Sequence, residues 1–168
     1  MKSFLIFALT IIISQSGSAQ TIDFDKLTFQ NLSPFSSKEK IIEKLGGPQA
    51  VYEPNYECGF LSAEEQNKPF YTLDYNEFKF TGNDNESYVL DKINFETRPV
   101  VLTYSGHQIN SKTDINTLAK IFSMDAFLDL PSDTGVVIIP NKNKVQEDGY
   151  GFEIINGKLI SIHYWSPC

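Results

Sequence analysis

Apolar residues recur along this chain with two spacings, one typical of an amphipathic helix and one that alternates as in a β-strand. The first helical stripe consists of Ile41, Ile42 and Leu45. Ser36 and Glu39 precede it with the spacing of a capping box, which satisfies free amides at a helix start. Gly46-Gly47-Pro48 ends it, because glycine accepts a left-handed cap and proline cannot continue a helix. The pattern predicts a helix over about residues 37–45.

The same plan recurs in the second half of the chain. Ser111 and Asp114 repeat the capping-box spacing. The stripe that follows consists of Ile115, Leu118 and Phe122. A second helix is therefore predicted over about residues 113–122.

Strands with period-two alternation follow each helix. The predicted strands are 71–75, 78–80 and 88–95 in the first half, and 135–139, 150–155 and 158–165 in the second. Asn156-Gly157 is a strong hairpin signal, since both residues accept positive φ, and it places Ile154 opposite Leu159. Between the halves, Ser105-Gly106 predicts one further hairpin.

These elements predict an α+β fold of two tandem repeats, each a helix packed on an antiparallel sheet. Repeat 1 would span 20–98 and repeat 2 would span 99–168, and their strands could join into one continuous curved sheet. A single cystatin-like domain is the alternative.

The first residues have the three parts of a secretory signal peptide. Lys2 supplies the positive end, residues 4–13 are apolar, and small or polar residues lead to Ala19. The apolar run is too short to span a bilayer. We expect residues 1–19 to be removed and the product to be exported, periplasmic or extracellular, with no membrane span.

Two cysteines, Cys58 and Cys168, remain after such a cleavage. An even count in an oxidising compartment predicts a disulfide, which would join the two halves and hold the C-terminus. The alternative is a reactive thiol, for which His163 is the nearby basic group.

The charge balance narrows the range of partners. The chain has 14 basic and 21 acidic residues, and Arg98 is its one arginine. Because phosphate backbones require clustered Lys and Arg, nucleic acid is not an expected partner. Acidity weakly favours a basic partner.

No motif in the sequence specifies chemistry. The two histidines, His107 and His163, lie in a predicted turn and a predicted strand, where a structural or surface role is expected, and neither cysteine is placed like a catalytic one. No metal-ligand spacing stands out, so no metal and no cofactor are predicted. A hydrolase that uses two carboxylates stays open among the acidic residues.

Aromatic residues are the most informative feature. The candidate partner-binding face consists of Tyr150, Phe152, His163 and Trp165, with Tyr71 and Tyr75. Both faces of the last hairpin are substantially apolar, and a helix covers only one. The other face could pack on the rest of the chain, dock a protein, or line a cavity for a small ligand.

The segment Ser-Lys-x-x-Ile-Ile-x-x-Leu-Gly-x-Pro at residues 37–48 resembles the helix of the beta-lactamase inhibitory protein repeat. The small outer-membrane assembly lipoproteins share a similar unit, although the anchoring cysteine of those lipoproteins is missing here. Members of that group act by binding proteins. The resemblance implies an exported, non-catalytic protein-binding module, such as an enzyme inhibitor or an immunity-type protein, whose partner is another envelope or extracellular protein. The alternatives are the carboxylate hydrolase and a carrier of a small apolar ligand.

Overall fold

The computed structural model describes residues 21–54, 69–142 and 148–166 and has an α+β fold, which confirms the predicted class. The strands are β1 (Leu27–Phe29), β2 (Phe35–Ser36), β3 (Ala50–Tyr52), β4 (Tyr71–Asp74), β5 (Phe78–Gly82), β6 (Tyr88–Asn94), β7 (Leu102–Tyr104), β8 (His107–Ile109), β9 (Gly135–Pro140), β10 (Gly149–Ile155) and β11 (Lys158–Trp165). The helices are α1 (Lys38–Leu45) and α2 (Ile115–Phe122), with short 3-10 turns at Phe24–Lys26, Asp125–Phe127 and Pro131–Asp133.

One large antiparallel sheet runs through both halves of the chain, in the order β3-β4-β5-β6-β11-β10-β9, with β2 alongside β6. The halves meet where β6 pairs with β11, and Ile93 lies directly opposite Ile162. The strands therefore form one continuous sheet, as the sequence allowed. The tandem-repeat interpretation, with its boundaries 20–98 and 99–168, stays a prediction, as does the cystatin-like alternative.

Both helices begin at a side-chain cap, but not at the residues that the capping-box spacing indicated. Ser37 caps α1 by accepting a hydrogen bond from the Lys40 amide at 3.4 Å. Ser36 instead belongs to β2 and is buried. Asp114 itself caps α2, accepting from the Thr117 amide at 2.8 Å. Each helix therefore starts directly after a Ser or Asp side chain that accepts from a free amide of its first turn.

The hydrophobic core lies on one face of the large sheet, which we call the core face. α2 packs there through Phe122, whose ring centre is 5.0 Å from that of Phe152 on β10. A small sheet of order β1-β7-β8 covers the neighbouring area, with Phe29 4.7 Å from Phe78 between ring centres. The opposite side of the large sheet is the outward face.

Two sequence predictions fall outside the described residues. The predicted signal peptide, residues 1–19, is one of them. The predicted disulfide between Cys58 and Cys168 is the other.

Candidate functional site

The β10–β11 hairpin has a bulge that decides which side chains share a face. Ile154 pairs with Leu159 across Asn156-Gly157, as predicted, but Glu153 pairs with Ser161, so Ile160 is an extra residue. An extra residue shifts a strand's alternation by one position. From Ser161 onward, every side chain of β11 is therefore on the face opposite to the one predicted.

The bulge divides the predicted binding face. Phe152 pairs with Ile162 and Tyr150 with Tyr164, and these side chains point into the core. His163 and Trp165 lie opposite Gly151 and Gly149 on the outward face. Tyr150 and Phe152 are at most 1% exposed, so a partner cannot contact them in the folded protein.

The other two predicted residues also lie toward the core. Tyr75 is buried, stacks on Phe78 with ring centres 4.9 Å apart, and donates its hydroxyl to the Gly46 carbonyl at 2.9 Å. Tyr71 is half-buried and packs against the same core. Of the six predicted residues, only His163 and Trp165 are on the outward face.

Two tyrosines on the core face, the buried Tyr150 and the half-buried Tyr164, each have a hydrogen-bonding partner. Tyr150 donates to the Leu90 carbonyl at 2.8 Å, and its pKa is raised well above its ordinary value, chiefly by burial. Tyr164 donates to Asp148 Oδ2 at 2.6 Å, and burial followed by that hydrogen bond raises its pKa. Buried phenols that are satisfied in this way hold a core together and stay protonated.

The outward face of β10 has no side chain at two positions, because Gly149 and Gly151 lie there. The imidazole of His163 occupies the space above Gly151: a Cβ at Gly151 would lie 2.5 Å from His163 Cε1 and closer still to Nε2. Burial, followed by the charge of Lys92, lowers the pKa of His163. His163 is therefore held neutral at neutral pH, with one side of its ring against backbone.

Polar groups occupy the outward face near the middle of the sheet. Ser161 donates to Glu153 Oε2 at 2.6 Å, and Thr81 donates to Asp91 Oδ2 at 2.7 Å. Farther along, Lys79 Nζ lies 3.0 Å from Asp74 Oδ2. These pairs satisfy one another, which makes this part of the face a hydrogen-bonded structural surface.

The β9 side of the outward face is apolar and exposed. Val136, Ile138 and Ile155 are 50%, 45% and 41% exposed, and we call them the apolar strip. Their chain neighbours Val137 and Ile139 are buried in the core, which fixes the outward direction of the strip. The continuous aliphatic run of β9 is typical of a strand buried on both faces, so its pattern predicts burial where the structure has Val136 and Ile138 exposed.

An open cleft of about 370 Å³ lies where the two halves meet. Its apolar lining consists of Phe95, Pro99, Leu159 and Ile160. Its polar and charged lining consists of Glu96, Thr97, Arg98, Ser111 and Lys158. Arg98 Nε is 3.1 Å from Glu77 Oε1, so this arginine also neutralises a buried carboxylate.

Among the described residues, the carboxyl groups whose pKa departs from its ordinary value all have it lowered. Hydrogen bonds from Tyr88 and then Lys38 lower the pKa of Asp84. At Asp74 burial raises the pKa, but hydrogen bonds from Asn76 and Lys79 outweigh it and the net shift is downward. A general acid requires a raised pKa, so these groups do not suit that task. Among the described residues, no group of three His, Cys, Asp or Glu side chains is placed to hold a metal ion.

Comparisons with protein-family models, with curated proteins and with solved structures found no match to this chain. The resemblance to the inhibitory-protein repeat therefore stays a prediction. Within residues 21–54, 69–142 and 148–166, no helix is both long enough and apolar enough to cross a membrane.

Proposed function

We propose that this protein is an exported, non-catalytic protein-binding module that contacts its partner with the outward face around β9, β10 and β11. The observation that carries the proposal is the apolar strip, which lies on the same face as Trp165 and His163. An enzyme inhibitor or an immunity-type protein is the most specific form of this function. Its partner is then another envelope or extracellular protein.

The energetics of the strip favour a protein partner. Each large aliphatic side chain that passes from water to a buried site contributes about 1.5–3 kcal/mol. The three residues of the strip are each roughly half exposed, so covering them would contribute several kcal/mol. Tryptophan is enriched among the residues that dominate binding energy at interfaces, and Trp165 is the chain's one tryptophan.

Charge adds a preference for a basic partner. The full chain has a net charge of −7. Removing residues 1–19 takes away Lys2 and no acidic residue, which leaves 13 basic against 21 acidic residues and a net charge of −8. Opposite charge on the partner would speed association at low salt.

Affinity capture with matched variants tests the proposal. The mature protein, Ile138→Ser and Ile42→Ser would each be immobilised and exposed to an envelope extract, and bound proteins would be quantified by mass spectrometry. Ile42 lies on α1 and is 38% exposed, which makes it a comparable exposed aliphatic residue away from the strip. We expect one protein to be enriched by the mature chain and by Ile42→Ser, with at least a tenfold loss for Ile138→Ser. Equal recovery by all three proteins would refute the proposal.

The open cleft where the two halves meet supports a second candidate function, a carrier of a small apolar ligand. Its volume is at the lower end of the range for ligand pockets. Native mass spectrometry of the exported protein would detect such a ligand as an added mass, and Ile160→Glu would displace it. A single species at the mass of the bare chain would contradict this candidate.

A further inference from the structure

Strand β9 is the last strand of the large sheet, and its outer edge has an assignable hydrogen-bonding pattern. Pro140 pairs with Gly149 in the β9–β10 ladder, and the Asn141 amide continues that register by donating to the Asp148 carbonyl at 2.7 Å. Residues of an antiparallel strand bond alternately to one side and to the other. Positions 135, 137 and 139 therefore bond to β10, whereas positions 136, 138 and 140 direct their backbone groups away from it.

An independent contact agrees with this assignment. The Ile22 amide donates to the Pro140 carbonyl at 2.8 Å, and the Lys142 amide donates to the Ile22 carbonyl at 2.8 Å. The carbonyl of Pro140 thus points outward, as the alternation requires. Ile22 forms a parallel bridge at this end of the edge, so the edge already accepts one extended residue.

The rest of the edge is open in the part of the chain that the structure describes. Val136 and Ile138 each present an N–H and a C=O, and no described residue bonds to these groups from outside the sheet. Both side chains belong to the apolar strip. An open, apolar edge strand is a template for another strand.

Charge around the edge indicates the chemistry of its occupant. Residues 121–140 contain Asp125, Asp129 and Asp133 and no Lys, Arg or His. Lys142 lies just after the last residue of β9, and its Nζ is 3.6 Å from Asp23 Oδ2, so Asp23 offsets the positive charge of this lysine. The segment that leads into β9 is therefore acidic, with Asp133 two residues before the first residue of the strand.

We infer that the edge of β9 takes an additional strand from its partner, an extended protein segment that alternates apolar and small polar residues and carries Lys or Arg at its ends. The backbone of this segment bonds to Val136 and Ile138, its apolar side chains extend the strip, and the basic residue at the end beside the start of β9 lies near Asp133. This inference rests on the proposed function and adds the binding mode and the class of segment recognised.

Amide hydrogen exchange, measured by NMR on the mature protein, tests the binding mode. In the free protein, the amides of Val137 and Ile139 should exchange slowly and those of Val136 and Ile138 should exchange fast. The probe is a nine-residue peptide of alternating Val and Thr with Lys at both ends. At saturation it should slow exchange at Val136 and Ile138 by at least tenfold. Slow exchange at both positions in the free protein, or no change with peptide, would overturn the inference.

Matched peptides and variants test the chemistry. The same peptide with Glu at both ends should bind about tenfold more weakly at low salt, and added salt should reduce the difference. Ile138→Pro removes the outward N–H yet keeps an apolar side chain, and proline is tolerated where the N–H faces away from the ladder. We expect Ile138→Pro to lose the protection at Val136, whereas Ile138→Thr keeps it. Equal binding of both peptides would overturn the charge preference.

The result separates this inference from the proposed function. In one outcome, Ile138→Ser fails to capture the partner, yet amide exchange at Val136 and Ile138 of the unmodified chain is the same with and without that partner. The strand-addition mode is then wrong, and the proposed docking face stands. If the Lys-ended peptide protects the edge and no protein is captured, the edge mode stands and the proposed function fails. If Ile138→Pro does not fold, amide exchange at Val136 and Ile138 of the unmodified chain still decides whether a strand adds to the edge of β9.

Discussion

Replacing Gly151 by alanine tests the packing of His163 on the outward face. The added Cβ would lie 2.5 Å from His163 Cε1, whereas carbon atoms in ordinary contact are about 3.5–4 Å apart. The ring must therefore move by about 1 Å or more. Because His163 is half-buried and its ring lies at a surface, it can swing toward solvent. We expect a loss of about 1–2 kcal/mol in the free energy of unfolding, toward the lower end of the range for overpacked sites.

A double-mutant cycle isolates this contact. In a His163→Ala background the obstruction is gone, so Gly151→Ala should cost less than about 0.5 kcal/mol there, and the coupling should be about 1 kcal/mol. Gly149→Ala is the contrasting variant. Its Cβ would meet backbone atoms, the Ile139 carbonyl oxygen and Pro140 Cα, the latter at 2.9 Å. Backbone cannot swing aside, so we expect about 3 kcal/mol or more.

Urea denaturation followed by circular dichroism measures the unmodified protein and the four variants. Circular dichroism avoids the fluorescence of Trp165, which lies on the same face. If Gly151→Ala costs the same with and without the imidazole, His163 does not occupy the space above Gly151. The arrangement of the outward face described above would then be wrong.

Three further predictions follow from described contacts. The lowered pKa of His163, due to burial and then Lys92, means that below about pH 6.5 the unfolded chain binds a proton that the folded chain does not. The free energy of unfolding should therefore fall as the pH drops below about 6.5. Urea titrations at about pH 7.5 and about pH 5.5 measure this loss, and His163→Gln should remove the contribution of His163 to it. Asp114→Ala should lose about 1 kcal/mol through its helix cap, measured by thermal melting, whereas Ser111→Ala should change stability by less than about 0.5 kcal/mol. Phe152→Ala should cost about 3–5 kcal/mol in urea because it empties a fully buried site, and a cost below about 1 kcal/mol would contradict its place in the core.

The strands that form the large sheet were predictable where local signals agree. Asn156-Gly157 indicated the hairpin, and its register at Ile154 and Leu159 is correct because a two-residue turn fixes the first pair. The pairing of β6 with β11 depends on contacts distant in sequence, so pattern alone could suggest it only as a possibility. Strands β1, β2 and β3 are two or three residues long, too short to show an alternation.

The candidate site was less predictable, and one residue explains most of the difference. Ile160 lies between Leu159 and Ser161 in a run where apolar residues occupy both faces, so nothing in the sequence marks a bulge there. The inserted residue moved His163 and Trp165 to the face opposite Phe152. The exposure of β9 was also missed, because whether an aliphatic strand is central or at an edge depends on which strands pair with it.

The pairing of β6 with β11 has a consequence for any attempt to divide the protein. Cutting the chain between residues 98 and 99 would leave each fragment with an open strand at what is now the centre of the sheet, next to the uncovered side chain of Ile93 or Ile162. Such fragments would be prone to aggregate alone and would reassemble when mixed, since each is the natural cover of the other. The β6–β11 pairing therefore predicts that the two halves unfold together.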